Sequence, residues 1–249
     1  MRDHETATPR RYTRPVVLLL TSLAIVFAFA AGWLGAGILA RLVGDRRLRR
    51  GTNGQGILAL TFDDGPGGET TPALLDLLRE HDARATFFLI GDSATRHPDI
   101  VERLASDGHT ICWHSQTHRH QWKTDPIRGI LDLWSPPAML RREPTMARGF
   151  RPPYGKMTFG TWLVCRLRRW PIITWTHPSG DTFPRLPKVD DFVASVDRDG
   201  GGVVLMHDMD REDPARAEFV LQVTRDLLRL ANHRDWKILS SPDDWRLLA

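Results

Sequence analysis

Cysteine is scarce in this chain of 249 residues: only Cys112 and Cys165 are present. Two thiols make no disulfide framework, which excludes the small stapled folds of secreted mini-proteins. They either pair in an oxidising compartment or lie apart as small buried residues. Internal repeats and low-complexity tracts are also missing, so nothing points to a solenoid or a biased interaction tail. Acidic residues are scarce at one end. Residues 1–50 hold nine Arg against Asp3, Glu5 and Asp45, which leaves 25 of the 34 basic and 27 of the 30 acidic residues for positions 51–249. The net charge of +4 therefore belongs to the N-terminal fifth, and a nucleic-acid-binding role is excluded for the near-neutral body. Charge is missing altogether from residues 15–40, a run of 26 dominated by Val, Leu, Ile, Ala, Phe and Gly.

That run exceeds the roughly 20 residues a helix needs to cross a bilayer. The sequence is accordingly divided into a cytoplasmic basic tail (1–15), a transmembrane anchor (16–40), a Gly/Asn/Gln-containing linker (41–55) and one globular domain (56–249). A cleaved signal peptide, with Ala28-Phe29-Ala30 as its cleavage site, is the rival reading. Against it, the apolar run continues for ten residues past Ala30, longer than a signal peptide requires. Orientation is nearly balanced by charge: Arg2, Arg10, Arg11 and Arg14 precede the span, and Arg41, Arg46, Arg47, Arg49 and Arg50 follow it. The positive-inside rule slightly favours an internal domain.

From residue 56 onward short apolar runs alternate with amphipathic segments. Strands are predicted at 57–62, 85–90, 109–112, 148–151, 172–175, 203–206 and 237–239. Helices are predicted at 72–81, 98–106, 158–169, 190–198 and 214–231, with Thr71 capping the first and Pro72 opening it. The β-then-α rhythm predicts a parallel α/β architecture, a barrel or a doubly wound sheet. Pro126, Pro136, Pro137 and Pro144 make 120–147 an irregular insert.

Chemistry concentrates at the predicted strand ends. Thr61-Phe62-Asp63-Asp64-Gly65-Pro66 closes the first strand with two carboxylates, which repel unless a cation or proton offsets them. Side-chain alternation lets one take a metal while its neighbour takes a proton. His114 and His118 stand four apart, so that on a helical turn both imidazoles face one way. With one carboxylate they form a three-ligand site with open positions, as catalytic zinc sites have. His120 is one step off this pattern and is read as supporting or surface. Arg151-Pro152-Pro153-Tyr154-Gly155 is a stiff extended loop, and Leu205-Met206-His207-Asp208 ends the next-to-last strand.

These motifs, with Ala85-Thr86-Phe87-Phe88-Leu89-Ile90-Gly91, stand in the order and spacing of the NodB-type polysaccharide deacetylases, carbohydrate esterase family four, which the chain resembles from Gly56 onward. The resemblance implies a distorted (β/α) barrel of about seven strands behind one transmembrane helix. It implies Asp64, His114 and His118 as ligands of a divalent metal, Zn2+, Asp63 as general base and His207 as general acid. It also implies that Arg151 holds Asp63 ionised and that the backbone N–H at Tyr154 stabilises the oxyanion. Relatives usually carry Trp-x-x-Asp-x-x-Asp-Trp in support of the acid. Here Pro178 and Thr182 replace the first Asp and the last Trp, while Asp181 remains as the supporting carboxylate.

The expected activity is metal-dependent hydrolysis of N-acetyl groups on amino sugars of a bacterial cell-envelope glycan, on the extracytoplasmic side, where most relatives act. One alternative substrate is a polyprenyl-phosphate-linked amino sugar, acted on by a deacetylase or deformylase. An inactive glycan-binding membrane protein is the alternative of another class.

Overall fold

The near-continuous apolar runs become strands buried on both faces, as parallel sheets covered by helices require. The computed structural model describes residues 14–142, 146–239 and 244. The elements run α1 (Arg14–Thr52), β1 (Ile57–Asp63), α2 (Thr70–Glu80), β2 (Thr86–Leu89), α3 (Gly91–Arg96), α4 (Pro98–Ser106), β3 (Thr110–Trp113), α5 (Pro126–Leu133), α6 (Ala138–Arg142) and β4 (Met146–Phe150), then α7 (Phe159–Arg168), β5 (His177–Pro178), α8 (Val189–Arg198), β6 (Gly201–His207), α9 (Pro214–His233) and β7 (Lys237–Ile238). The seven-stranded parallel sheet has the order β4-β3-β2-β1-β6-β5, with β7 beside the start of β1. Ile172 bridges to Phe150 at one edge, and His177 pairs with Val204 at the other. Segment 172–178 thus joins the two edges into an incomplete barrel.

Alternation along the strands divides the core. Leu58, Leu60, Phe62, Phe87 and Ile111 face the surrounding helices, whereas Ala59, Phe88, Cys112 and Val203 fill the barrel interior with Leu48 and Ile173. Cys112 belongs to the inner cluster and Cys165 to the outer one, so both remain free, buried thiols. Burial pushes the Cys112 thiol up to about 12, which makes it unreactive.

Four expectations are corrected. Predicted strand 172–175 reduces to a single bridge, and the strand forms at His177–Pro178 instead. The reason is Arg151, whose guanidinium occupies the carbonyls of Ile173 and Thr174. Thr71 does not cap α2, which begins one residue earlier; its hydroxyl accepts the Gly67 N–H and donates to Asp208. The insert at 120–147 carries α5 and α6, with Asp125 capping α5 through the Arg128 N–H. Pro144 in that insert lies outside the described residues, as do Arg2, Arg10 and Arg11 of the basic tail.

The fourth correction concerns the linker. Helix α1 continues through positions 41–52, leaving only a turn before β1. From Trp33 onward it packs on the barrel. The Trp33 and Phe159 rings lie 6.1 Å apart, Gly37 leaves no room for a Cβ against the Met157 carbonyl, and Arg41 Nη1 donates to the Gly155 carbonyl at 2.7 Å. Leu48 is buried in the barrel interior. Residues 14–32, by contrast, are exposed throughout.

His109, buried between β2 and β3, accepts the Ala85 N–H on Nδ1, and burial pushes its pKa down to about 4. The folded group stays neutral where the unfolded one, at about 6.5, has already taken a proton. Stability should therefore fall as pH drops from about 6.5 to about 4, by about 3 kcal/mol over the whole window. Chemical denaturation across that range should show the loss, and His109→Asn should flatten the slope.

Candidate active site

Strand β1 delivers Asp63 and Asp64 to the C-terminal rim of the barrel, beside His207 at the end of β6. The chain turns sharply there, with Asp64 in the left-handed region at φ 71°, so its carboxylate leaves the strand direction. Asp64 Oδ1 lies 3.2 Å from His114 Nε2 and 3.0 Å from His118 Nε2. The three donor atoms fall within 4.8 Å of one another. Oδ1 is buried yet makes no hydrogen bond of proper geometry among the described residues. Burial alone would raise the Asp64 pKa, but the two imidazoles hold the carboxyl well below its ordinary range. Three lone-pair donors converging on one point, with an orphaned carboxylate oxygen among them, fit a bound cation.

The imidazoles reach this arrangement without a helix. Residues 114–120 form a loop in which Ser115 and His118 have positive φ, and the His118 N–H donates to Ser115 Oγ at 3.0 Å. The helical-turn expectation for the pair is thus replaced by a loop that achieves the same convergence. Asp132 on α5 holds that loop, accepting from the Thr117 N–H and hydroxyl at 3.0 and 2.6 Å. His114 Nδ1 faces the Arg151 carbonyl at 2.7 Å, which only accepts, so in the neutral ring the proton is on Nδ1 and the lone pair on Nε2. His120 stands apart from the ligand triangle, its ring 5.0 Å from that of Tyr154.

Asp63 points to a different partner. Its Oδ1 accepts from Arg151 Nη1 at 2.7 Å, and that nitrogen also donates to Thr61 Oγ1 at 2.7 Å. Arg151 is fully buried and stacked 3.9 Å over Phe88, with its other nitrogens on the Ile173 and Thr174 carbonyls. The Arg151 guanidinium thus meets Asp63 in a buried ion pair whose remaining donor nitrogens are all placed on acceptors.

His207 is held from the far wall. Its Nδ1 lies 3.0 Å from both Asp181 oxygens, and Asp181 Oδ2 also accepts the His207 N–H. Ser179 Oγ steadies the same carboxylate at 3.0 Å. Burial alone would lower the His207 pKa, but the Asp181 hydrogen bond and charge outweigh it and the net direction is upward. Nε2 is left facing Asp64, 3.9 Å from Oδ2. Tyr154 sits at φ 55°, 56% exposed as a residue, with its ring 4.6 Å from the His118 ring. Asp63, Asp64, His114, His118, Tyr154 and His207 line one cavity of about 520 Å³, whose wall includes Trp175, Pro178, Thr182, Phe183 and Arg211.

Besides Asp132, two carboxylates have roles that the sequence does not assign. Asp208 follows His207 in its motif, is buried beneath Gly65 and hydrogen-bonds Thr71; burial raises its pKa to about 7. Asp210 accepts the N–H groups of Gly68, Glu69 and Thr70. Together they clamp the loop after Asp64. Their only sequence signal is an acid at alternate positions after a strand end, which is too common to single out.

The sequence model of the family described as polysaccharide deacetylase matches residues 50–166. The chain is 35% identical over 147 residues to a peptidoglycan-N-acetylglucosamine deacetylase of Bacillus cereus, covering 56% of this chain and 54% of that protein. It is 31% identical over 153 residues to a chitooligosaccharide deacetylase of Bradyrhizobium, covering 60% of this chain and 69% of that one. A crystal structure of a peptidoglycan N-acetylglucosamine deacetylase in complex with a naphthalenyl N-oxidanyl-benzamide superposes with a TM-score of 0.65 at 25% identity, over 77% of this chain and 90% of that one. The chain thus spans about half the length of the first of these relatives.

Proposed function

Because the chain belongs to the polysaccharide deacetylases, carbohydrate esterase family four, we propose that it is a metal-dependent amidohydrolase removing acetyl groups from N-acetylated amino sugars of a bacterial envelope glycan. The supporting observation is convergence. A three-donor site of Asp64, His114 and His118 lines one cavity with Asp63 and His207, which are backed by the buried Arg151 and Asp181 respectively.

Asp64, His114 and His118 hold a divalent cation, Zn2+ in this reading. When bound, the cation polarises the acyl oxygen and acidifies water. Asp63, kept as a carboxylate by Arg151, takes a proton from the attacking water. The new C–O bond forms as negative charge gathers on the former carbonyl oxygen, where the Tyr154 N–H donates to it. His207 then gives its Nε2 proton to the amide nitrogen as the C–N bond breaks, releasing acetate and a free amine. Asp181 sets the His207 tautomer by accepting a hydrogen bond from Nδ1–H. Pro178 and Thr182 shape the cavity wall where the acyl group rests.

Helix α1 is the membrane anchor of this reading: it is long enough to cross a bilayer, with a mean hydropathy of 2.3 over its most apolar stretch. The catalytic domain lies on the extracytoplasmic side, where the glycan is. The test is acetate release by the full chain, reconstituted with Zn2+, from N-acetylglucosamine oligomers and peptidoglycan fragments. Binding of these glycans without any acetate release would overturn the reading in favour of a glycan-binding protein.

A further inference from the structure

The direction of α1 relative to the barrel carries a consequence for the substrate. Strands β1 and β6 run in parallel from Ile57 and Gly201 at the base to Asp63 and His207 at the rim. At its C-terminal end α1 meets the base, where Asn53 and Gly54 bond to Asp199. Farther back along the helix, Arg41 donates to the Gly155 carbonyl and lies 4.8 Å over the Trp175 ring; both residues line the catalytic cavity. Helix α1 therefore climbs the barrel from base to mouth, and its free part, residues 14–32, projects on the side to which the cavity opens. Those 19 exposed residues span about 28 Å, close to the roughly 30 Å hydrocarbon core. From Gly32 to the mouth at Arg41 is nine residues, about 14 Å of helix.

The mouth itself is dressed for such a position. Tyr154 and Phe183 are 56% and 52% exposed at the cavity, and outside its lining, next in sequence to Gly155, Lys156 places its ammonium 4.4 Å over the ring of exposed Trp122. Aromatic and cationic side chains are favoured in the headgroup layer. Arg211 also lines the cavity; its Nη1 donates to the Asp181 carbonyl, and its buried Nη2, without a hydrogen-bond partner among the described residues, lies 3.9 Å from Asp181 Oδ2.

We infer that α1 holds the mouth of the catalytic cavity toward the bilayer and that the sugar deacetylated there is tethered through phosphate to a membrane lipid. Aromatic residues meet the interface, and Lys156 and Arg211 supply cations for the phosphate. A sugar reaching 10–15 Å above the hydrocarbon boundary, by the approximate helix rise, would enter the cavity without leaving its carrier. This rests on the reading of α1 as an anchor and of the cavity as a deacetylase site.

Two measurements on the full chain in phospholipid nanodiscs separate these layers. In the first, a fluorophore is placed at Phe183→Cys by the mouth or at Glu80→Cys at the end of α2; Cys112 and Cys165 are buried and should not label. Nitroxide-headgroup lipids should quench the first strongly and the second little. Equal quenching, or stronger quenching at position 80, would overturn the orientation. In the second, acetate release is compared between a soluble N-acetylglucosamine oligomer and N-acetylglucosamine joined by pyrophosphate to a long prenyl chain in the same disc.

The lipid-linked sugar should be turned over at least tenfold more efficiently. Seven helix-forming residues inserted between Ala31 and Gly32, two turns or about 10 Å, should erase that preference and leave the soluble reaction unchanged. Absence of a preference in the natural chain would overturn the substrate assignment. No acetate from either substrate would overturn the deacetylase reading instead, while the quenching still decides the orientation.

Discussion

Replacing His114 by alanine is expected to abolish both metal retention and hydrolysis while leaving the barrel folded. The imidazole supplies one of three converging donors, and its Nε2 lone pair is oriented by the bond from Nδ1 to the Arg151 carbonyl. Its removal leaves two donors and lets the Arg151 loop relax. The stability cost is one buried hydrogen bond and a small void, about 1–3 kcal/mol, because the hydrophobic clusters are elsewhere. Metal analysis after gel filtration, with thermal unfolding alongside, separates loss of the site from loss of the fold. Stoichiometric metal in a His114→Ala/His118→Ala double variant would overturn the ligand assignment. The affinity should also fall with pH. In the metal-free site burial lowers the His114 pKa, but the Asp63 and Asp64 charges outweigh it and the net direction is upward. A cation must therefore displace a proton to bind, and acid favours the proton.

Much of this site was legible because its residues sit where local rules are strongest. Apolar runs ending in Asp63-Asp64 and His207-Asp208 announced buried parallel strands with polar tips, and both became strand ends at the rim. What was not legible depends on contacts between distant segments. The strand expected at 172–175 lost its ladder to Arg151, a competitor 22 residues away for the Ile173 carbonyl. The loop carrying His114 and His118 is shaped by Asp132 and by positive φ at Ser115 and His118, none of which a four-residue spacing encodes. Helix α1 is the plainest case. By composition Gly37 looks like the tail of an anchor and Leu48 like part of its linker, and only the fold brings them against the barrel.

Asp63→Asn is expected to slow hydrolysis by about a hundred- to ten-thousand-fold, the range for loss of a general base, while metal affinity changes little because the proposed ligand is Asp64. The amide keeps an acceptor for Arg151 but not the charge. Loss of a buried partner can cost about 3–5 kcal/mol, so rates must be compared well below the variant's lowered melting temperature. In the proposed reaction His207 acts at the other end, and the pH dependence tests that assignment. Because the acid must be protonated, the rate falls as pH rises through its pKa, and a raised pKa extends activity toward alkaline pH. Burial works against that protonated form and Asp181 restores it. Removing Asp181 as a charge, in Asp181→Asn, should therefore move the alkaline limb to lower pH as well as reduce the rate. His207→Ala should abolish the limb, and adding the Asp181 change should cost little more, since Asp181 acts through the imidazole. An alkaline limb unchanged in His207→Ala would exclude it as the acid. Equal, fully additive losses would show instead that Asp181 serves the reaction by some route other than His207.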